Sequence, residues 1–265
     1  MDSLTINNKQ LEILNNLKHR KVEKYFKEVS NIRKLIISLD TEEEEDKNED
    51  WKINNFNIVI DALKYCPKIK IIRIIELPFI FDIPKIKKMT NTLMMTIAIH
   101  SEKIIDLAIS HCSFRDVNNE TLQKVVNNLE IFYCISYLHD IHLMDLEKVL
   151  RSFTYNNNLR IFFWSREIIE DEILQDYIIL SFLHKVKNTL EIFDVSFLPS
   201  QNVLNKMGRI CKNLKYLRIN IYSKCLKHCK DRNYNQLKLD LPNIHIDKHD
   251  FNYNIPLYWQ NKYAK

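Results

Sequence analysis

Glycine is almost absent: the 265 residues contain one, Gly208. Loops that cradle phosphates need several positions where the backbone approaches a ligand closely or takes positive φ. A Walker loop or a dinucleotide-binding fingerprint cannot be written with one glycine. The G-x-S-x-G elbow of a hydrolase is excluded for the same reason. Asn-Gly and Asp-Gly hairpin turns are missing too, which disfavours an antiparallel meander. There is also no 18-residue apolar run free of charge. The nearest stretch, residues 71–83, is interrupted by Arg73, Glu76, Pro78 and Asp82, so no transmembrane helix is expected. The opening residues, MDSLTINNKQ, lack the basic and apolar regions of a secretory leader. The six cysteines are then expected to be reduced thiols, in a cytoplasmic or nuclear protein.

A hydrophobic fraction of 46% and a charged fraction of 28% describe a globular chain long enough to bury a core without disulfides or metal. The net charge of +5 is unevenly placed. Residues 201–265 hold 13 Lys/Arg against 4 Asp/Glu, a net of +9, whereas the preceding 200 residues hold 26 against 30, a net of −4. A mildly acidic body thus carries a basic C-terminal region.

One short pattern recurs along the chain: apolar-x-x-apolar-x-apolar, often preceded by Asn. The copies are NIRKLII (Ile32, Leu35, Ile37), KIKIIRI (Ile69, Ile72, Ile74), KIIDLAI (Ile104, Leu107, Ile109), NLEIFYC (Leu129, Phe132, Cys134), NLRIFFW (Leu159, Phe162, Trp164), TLEIFDV (Leu190, Phe193, Val195) and NLKYLRI (Leu214, Leu217, Ile219). A weak eighth copy lies at residues 237–241. First anchors are 37, 35, 25, 30, 31 and 24 residues apart. Each copy predicts a strand whose second and third anchors point into the core. The segments between copies have helical period. Residues 121–129 align Leu122, Val125, Val126 and Leu129, and residues 142–153 align Leu143, Leu146, Val149, Leu150 and Phe153. Residues 169–186 align Ile169, Ile173, Tyr177, Ile178, Phe182 and Val186, and residues 199–211 align Val203, Met207 and Ile210. Alternating strands and helices at this repeat length predict an α/β solenoid with a parallel sheet.

The copies resemble leucine-rich repeats, specifically the cysteine-containing kind of F-box/leucine-rich-repeat proteins. The marks are KYCPKIKIIRI at Cys66, LAISHC at Cys112 and ICKNLKYLRI at Cys211. The resemblance covers about residues 28–222 and implies parallel strands on a concave face with helices on the convex face. It also implies that a cysteine closes the helix just before the strand. By function, it implies substrate recognition for a cullin-type ubiquitin ligase through a protein partner and a ligase adaptor. Repeat length varies, Phe, Ile and Trp often replace Leu, and residues 79–99 fit no repeat. No F-box is recognisable: residues 4–30 are too few for its three helices. Either the adaptor-binding module was lost from a paralogue or it belongs to a longer chain.

The expected organisation is a helical N-terminal cap (1–30), a repeat array (31–222) and a basic C-terminal cap (223–265). The acidic run TEEEEDKNED, residues 41–50, holds seven carboxylates and is expected as a loop after the first strand. Side chains just before the second and third anchors should face the open side of the sheet. In order they are Lys34/Ile36, Ile71/Arg73, Asp106/Ala108, Ile131/Tyr133, Ile161/Phe163, Ile192/Asp194 and Tyr216/Arg218. The middle is apolar and aromatic, and the ends carry charge. Arg73, Ile131, Tyr133, Ile161, Phe163, Asp194 and Arg218 are therefore the expected partner-binding residues. Replacing Tyr133 and Phe163 by Ala is expected to abolish partner capture without unfolding the chain.

Other constellations carry less. Cys225 and Cys229 with His245 and His249 have the spacing of a Cys2His2 zinc set, but a finger needs its histidines on a helix, and the alternating NIHIDKH after Pro242 reads as a strand. No cofactor is expected. Residues 206–230 hold eight Lys/Arg and no acid, with Tyr216 and Tyr222 interleaved. A nucleic-acid or zinc-dependent binder built on this segment is the alternative reading, although nucleic acid is not the expected partner and no membrane is. His111 beside Cys112 and Cys134 near His139 are thiol–imidazole neighbours, but both cysteines sit at repeat positions. Glu167, Glu170, Asp171 and Glu172 suit a helix start. No enzymatic activity is expected.

Overall fold

A computed structural model describes residues 2–17, 19–38, 49–75, 83–100, 104–110, 112–136, 143–154, 158–166, 174–195, 199–219 and 243–248. Nine strands form one parallel sheet in chain order: β1 (Ser3–Ile6), β2 (Lys34–Ser38), β3 (Ile71–Ile75), β4 (Asp106–Ser110), β5 (Ile131–Ser136), β6 (Ile161–Arg166), β7 (Ile192–Val195), β8 (Tyr216–Ile219) and β9 (His245–Lys248). The connections carry helices: α1 (Asn8–Asn15) and α2 (His19–Glu28) after β1, α3 (Glu49–Tyr65) after β2, and α4 (Ile83–His100) after β3. The series continues with α5 (Asn119–Val126), α6 (Leu143–Ser152), α7 (Asp176–Val186) and α8 (Gln201–Ile210). Successive helices from α2 onward pack on one another. The architecture is a solenoid-like α/β repeat.

All seven copies form β2 to β8, and every one of their 21 anchors is buried. Period-2 alternation sends the second and third anchors to the helix side, where they merge with helix residues such as Phe26, Leu122, Phe153 and Phe182 into one core. Stacked rings run through it: Phe132 on Phe162 at 5.6 Å and Phe162 on Phe193 at 5.8 Å.

The backbone repeats as regularly as the side chains. The residue before each strand from β1 to β7 offers a carbonyl that accepts two N–H groups of the next repeat. Arg33 receives Lys70 and Ile71, Lys70 receives Ile105 and Asp106, and the series runs through Glu130, Arg160 and Glu191. Helix starts are capped locally. Asn7 and Gln10 form a reciprocal capping box at 3.0 Å each way, and Val203 N–H donates to Ser200 Oγ at 3.2 Å. Cys66 follows α3 directly and its thiol donates to the Phe26 carbonyl at 3.6 Å. Cys211 follows α8 and donates to the Leu183 carbonyl at 3.8 Å. Each thiol thus ties a helix end to the last turns of the preceding helix.

Some expectations shift. The sheet starts one strand earlier, because residues 3–6 of the expected helical cap pair with β2. Glu49 and Asp50, expected in the acidic loop, open α3. The rest of that loop, residues 41–48, lies outside the described residues. α7 starts at Asp176, and Tyr177, expected on its core face, is exposed because it lies opposite the buried Ile178, Ile179, Phe182, Leu183 and Val186, where Arg151 donates to its hydroxyl at 2.8 Å. Ile169 and Ile173, and the carboxylates at 167 and 170–172, lie outside the described residues. So does the weak eighth copy; the strand that pairs with β8 is His245–Lys248. Among the described residues no helix is long and apolar enough to cross a membrane.

Candidate functional site

The sheet has a second face, and parallel pairing lines its side chains up across strands. One row runs Arg73, Ala108, Tyr133, Phe163, Asp194, Arg218, and the row beside it Ile71, Asp106, Ile131, Ile161, Ile192, Tyr216, His245. These residues form clusters separate from the main core: Ala108, Tyr133, Ile135 and Phe163 in one, and Ile161 and Ile192 with Ile131 and Tyr216 in the other. Both consist of strand residues, so among the described residues the helices serve only the opposite face.

All seven expected site residues lie on this face, but it is not the open surface expected. Ile161 (2% exposed), Phe163 (3%), Tyr133 (8%) and Asp194 (0%) are buried. Arg73, Ile131 and Arg218 are half-buried. Strands spaced about 4.8 Å apart bring large side chains into contact edge to edge, and the Tyr133 and Phe163 rings stack 4.0 Å apart at 10°. Tyr133 and Phe163 are thus packing residues, and replacing both by Ala removes a buried stack. The expectation that this double variant leaves folding untouched is corrected.

Two ion pairs bracket the stack. Arg73 Nη2 lies 2.7 Å from Asp106 Oδ2 across β3 and β4. Arg218 Nε donates to Asp194 Oδ1 at 2.9 Å, and its Nη2 lies 2.7 Å from Oδ2 as a close ion pair. The Arg218 guanidinium also lies 5.6 Å from the Phe163 ring centre, within cation–π range. Burial pushes the Asp106 carboxyl above its ordinary value, while the charge and hydrogen bond of Arg73 pull it back. Asp106 was placed on this face by the alternation but not among the site residues; no local signal marks it as Arg73's partner, because the pairing is between strands. At the far end His245 stacks on Tyr216 at 5.3 Å.

On one rim, Glu191 receives Arg160 Nε at 2.7 Å and Lys215 Nζ at 2.8 Å. These hydrogen bonds lower its carboxyl to about 2.

The remaining candidates do not assemble. Of the zinc set, His245 is on β9, a strand as the alternation predicted, whereas Cys225, Cys229 and His249 lie outside the described residues. Among the described residues no group of three or more His, Cys, Asp or Glu is placed to hold a metal. Cys66, Cys112, Cys134 and Cys211 are free and buried. Burial pushes the Cys112 and Cys211 thiols up to about 12 and Cys66 to about 11, and raises Cys134 well above its ordinary value. A thiol so displaced is a poor nucleophile at neutral pH. His111 and His139 lie outside the described residues. Buried Asp145, in the first turn of α6, accepts bonds from Ser113 Oγ at 3.3 Å and from the backbone of Phe114 and Arg115, while Ser113 N–H donates to Thr90 Oγ1 at 3.0 Å. This network pins residues 113–115 to α4 and α6.

No protein-family model matches the chain, and no curated protein matches it.

Proposed function

We propose that this chain is a non-enzymatic protein-interaction module, a leucine-rich-repeat solenoid of the F-box/leucine-rich-repeat kind that holds substrate for a cullin-type ubiquitin ligase. One observation carries the reading. The sheet face away from the helices bears a packed aromatic and aliphatic platform, bracketed by the Arg73–Asp106 and Asp194–Arg218 pairs. Apolar ground with a charged border suits protein recognition. The half-buried Ile131, Tyr216, Arg73 and Arg218 are the contact residues, and Tyr133, Ile161 and Phe163 hold them in place. The cysteines that tie one helix end to the preceding helix support the leucine-rich-repeat assignment.

The test is affinity capture of the intact chain from its native lysate, followed by mass spectrometry, beside an Ile131→Ser/Tyr216→Ser variant. The reading expects a partner that the variant loses while its melting stays cooperative, together with the cullin adaptor. A variant-sensitive partner without the adaptor removes the ubiquitin role and leaves a repeat scaffold. Partners indifferent to the variant remove the binding face.

A further inference from the structure

Charge is unevenly spread along one rim of the sheet. The residues just before the strands stand side by side there, because the strands begin in register. In chain order they are Asp2, Arg33, Lys70, Ile105, Glu130, Arg160, Glu191 and Lys215. From Glu130 onward the signs alternate, and Glu191 joins Arg160 and Lys215 in ion pairs. At the β2–β3 end two cations are neighbours instead. Lys70 N–H donates to the Arg33 carbonyl at 2.8 Å, and both side chains are exposed. Exposed Lys68 is close by, its Nζ donating to Asn31 Oδ1 at 2.8 Å, and half-buried Lys34 follows Arg33. Among the described residues none of these four cations is in an ion pair: Asp2 makes none with Arg33, and Asp106 is held by Arg73. Like charges facing each other on neighbouring strands destabilise a sheet. Helix ends do not account for the cations either, since all four lie beyond the last turns of α2 and α3.

We propose that this corner binds an acidic peptide segment of the protein held on the adjoining sheet face, which rests on the function proposed above. Carboxylates supply the counter-charge that Arg33, Lys34, Lys68 and Lys70 lack. Half-buried Ile36 and Ile71 share the sheet face with Lys34, Ile71 directly beside it and Ile36 two residues along β2. A segment that mixes acidic and apolar side chains therefore meets both kinds of ground. A polynucleotide fits less well. The four cations belong to two adjacent strands, about 5 Å apart, whereas salt-dependent binding of nucleic acid draws on roughly six to ten phosphate contacts. Base stacking needs accessible rings, and Tyr65, at the end of α3, is half-buried with Lys27 over its ring at 5.4 Å.

Fluorescence anisotropy with the full chain at low ionic strength tests it. The probes are the fluorescein-labelled peptide DELEDLEELD, its amide counterpart NQLQNLQQLN and a single-stranded DNA of the same length. The acidic peptide should bind saturably, about tenfold or more tighter than the other two, and should weaken as salt is added. Arg33→Gln/Lys70→Gln, at two exposed positions outside the core, should weaken it about fivefold or more with unchanged circular dichroism. An acidic peptide that binds no better than its amide counterpart overturns the proposal. So does DNA that binds tighter than the acidic peptide, or an acidic peptide indifferent to the variant. The platform is read separately, by lysate capture with Ile131→Ser/Tyr216→Ser. Failure of the corner leaves that capture as expected, and failure of the platform leaves the peptide titration as expected.

Discussion

Arg218 on β8 donates Nε to Asp194 Oδ1 on β7 at 2.9 Å, with Nη2 in an ion pair 2.7 Å from Oδ2, and the same guanidinium sits over Phe163 on β6. Asp194 is fully buried and Arg218 retains some solvent contact, so the two partners are not equivalent. Arg218→Ala strands a buried carboxylate and should cost about 3–5 kcal/mol. Asp194→Ala leaves a guanidinium that can turn outward and should cost less. Urea unfolding of both variants reads the difference, and equal costs would mean that Asp194 finds other donors.

The Tyr133–Phe163 stack gives a second measurement. Each ring is buried, so Tyr133→Ala or Phe163→Ala should cost about 3–4 kcal/mol through the cavity each leaves. The rings touch, so the double variant should cost roughly 1 kcal/mol less than the sum. Strict additivity in a denaturant series would show that the stack contributes burial alone.

Glu191 sets an acid-side prediction. Its folded-state carboxyl lies at about 2, below the ordinary value, because Arg160 and Lys215 bond to it. A lowered carboxyl contributes stability that is present above the ordinary carboxylate range and lost as pH falls through it toward 2. The site is on a solvated rim, so screening reduces the contribution to about 1 kcal/mol. Glu191→Gln should therefore lower thermal stability at pH 7, and the difference from wild type should shrink toward pH 2 and in high salt. An undiminished difference at low pH would assign the effect to packing.

The buried thiols predict silence. Cys66, Cys112, Cys134 and Cys211 should resist a thiol reagent at pH 8 in the native chain and react in denaturant, as read by mass spectrometry of the labelled peptides. Fast native modification of Cys112 or Cys134 would show that β4 and β5 open locally.

Most of the sheet is legible in the chain. Leu35, Phe132 or Leu217 is fixed to the helix side because alternation and the flanking helical period leave an apolar strand residue one place to go, and the seven copies reinforce one another. The first edge strand is not legible: Ser3–Ile6 lacks the leading anchor of the other copies, and an edge strand has a neighbour on one side, so its sequence carries less of the pattern. β9 is legible from the alternating NIHIDKH after Pro242, although no copy of the repeat marks it. Tyr177 differs because the expected face extends from Ile169 and Ile173: at 100° per residue it lies opposite the buried Ile178, Ile179, Phe182, Leu183 and Val186.

The sequence by itself determined the order of β2 to β8, the alignment of their anchors and the residues these strands send into the core beneath the helices. All of these follow from backbone periodicity, which is local. Only the tertiary structure decided the state of the other face. Phe163 has Tyr133 and Asp194 on the adjacent strands and Arg218 two strands away, and those neighbours lie 30 to 55 residues away in the chain. The same holds for the ion pairs, since a charge at Arg73 becomes half of a buried pair only when β4 brings Asp106 alongside.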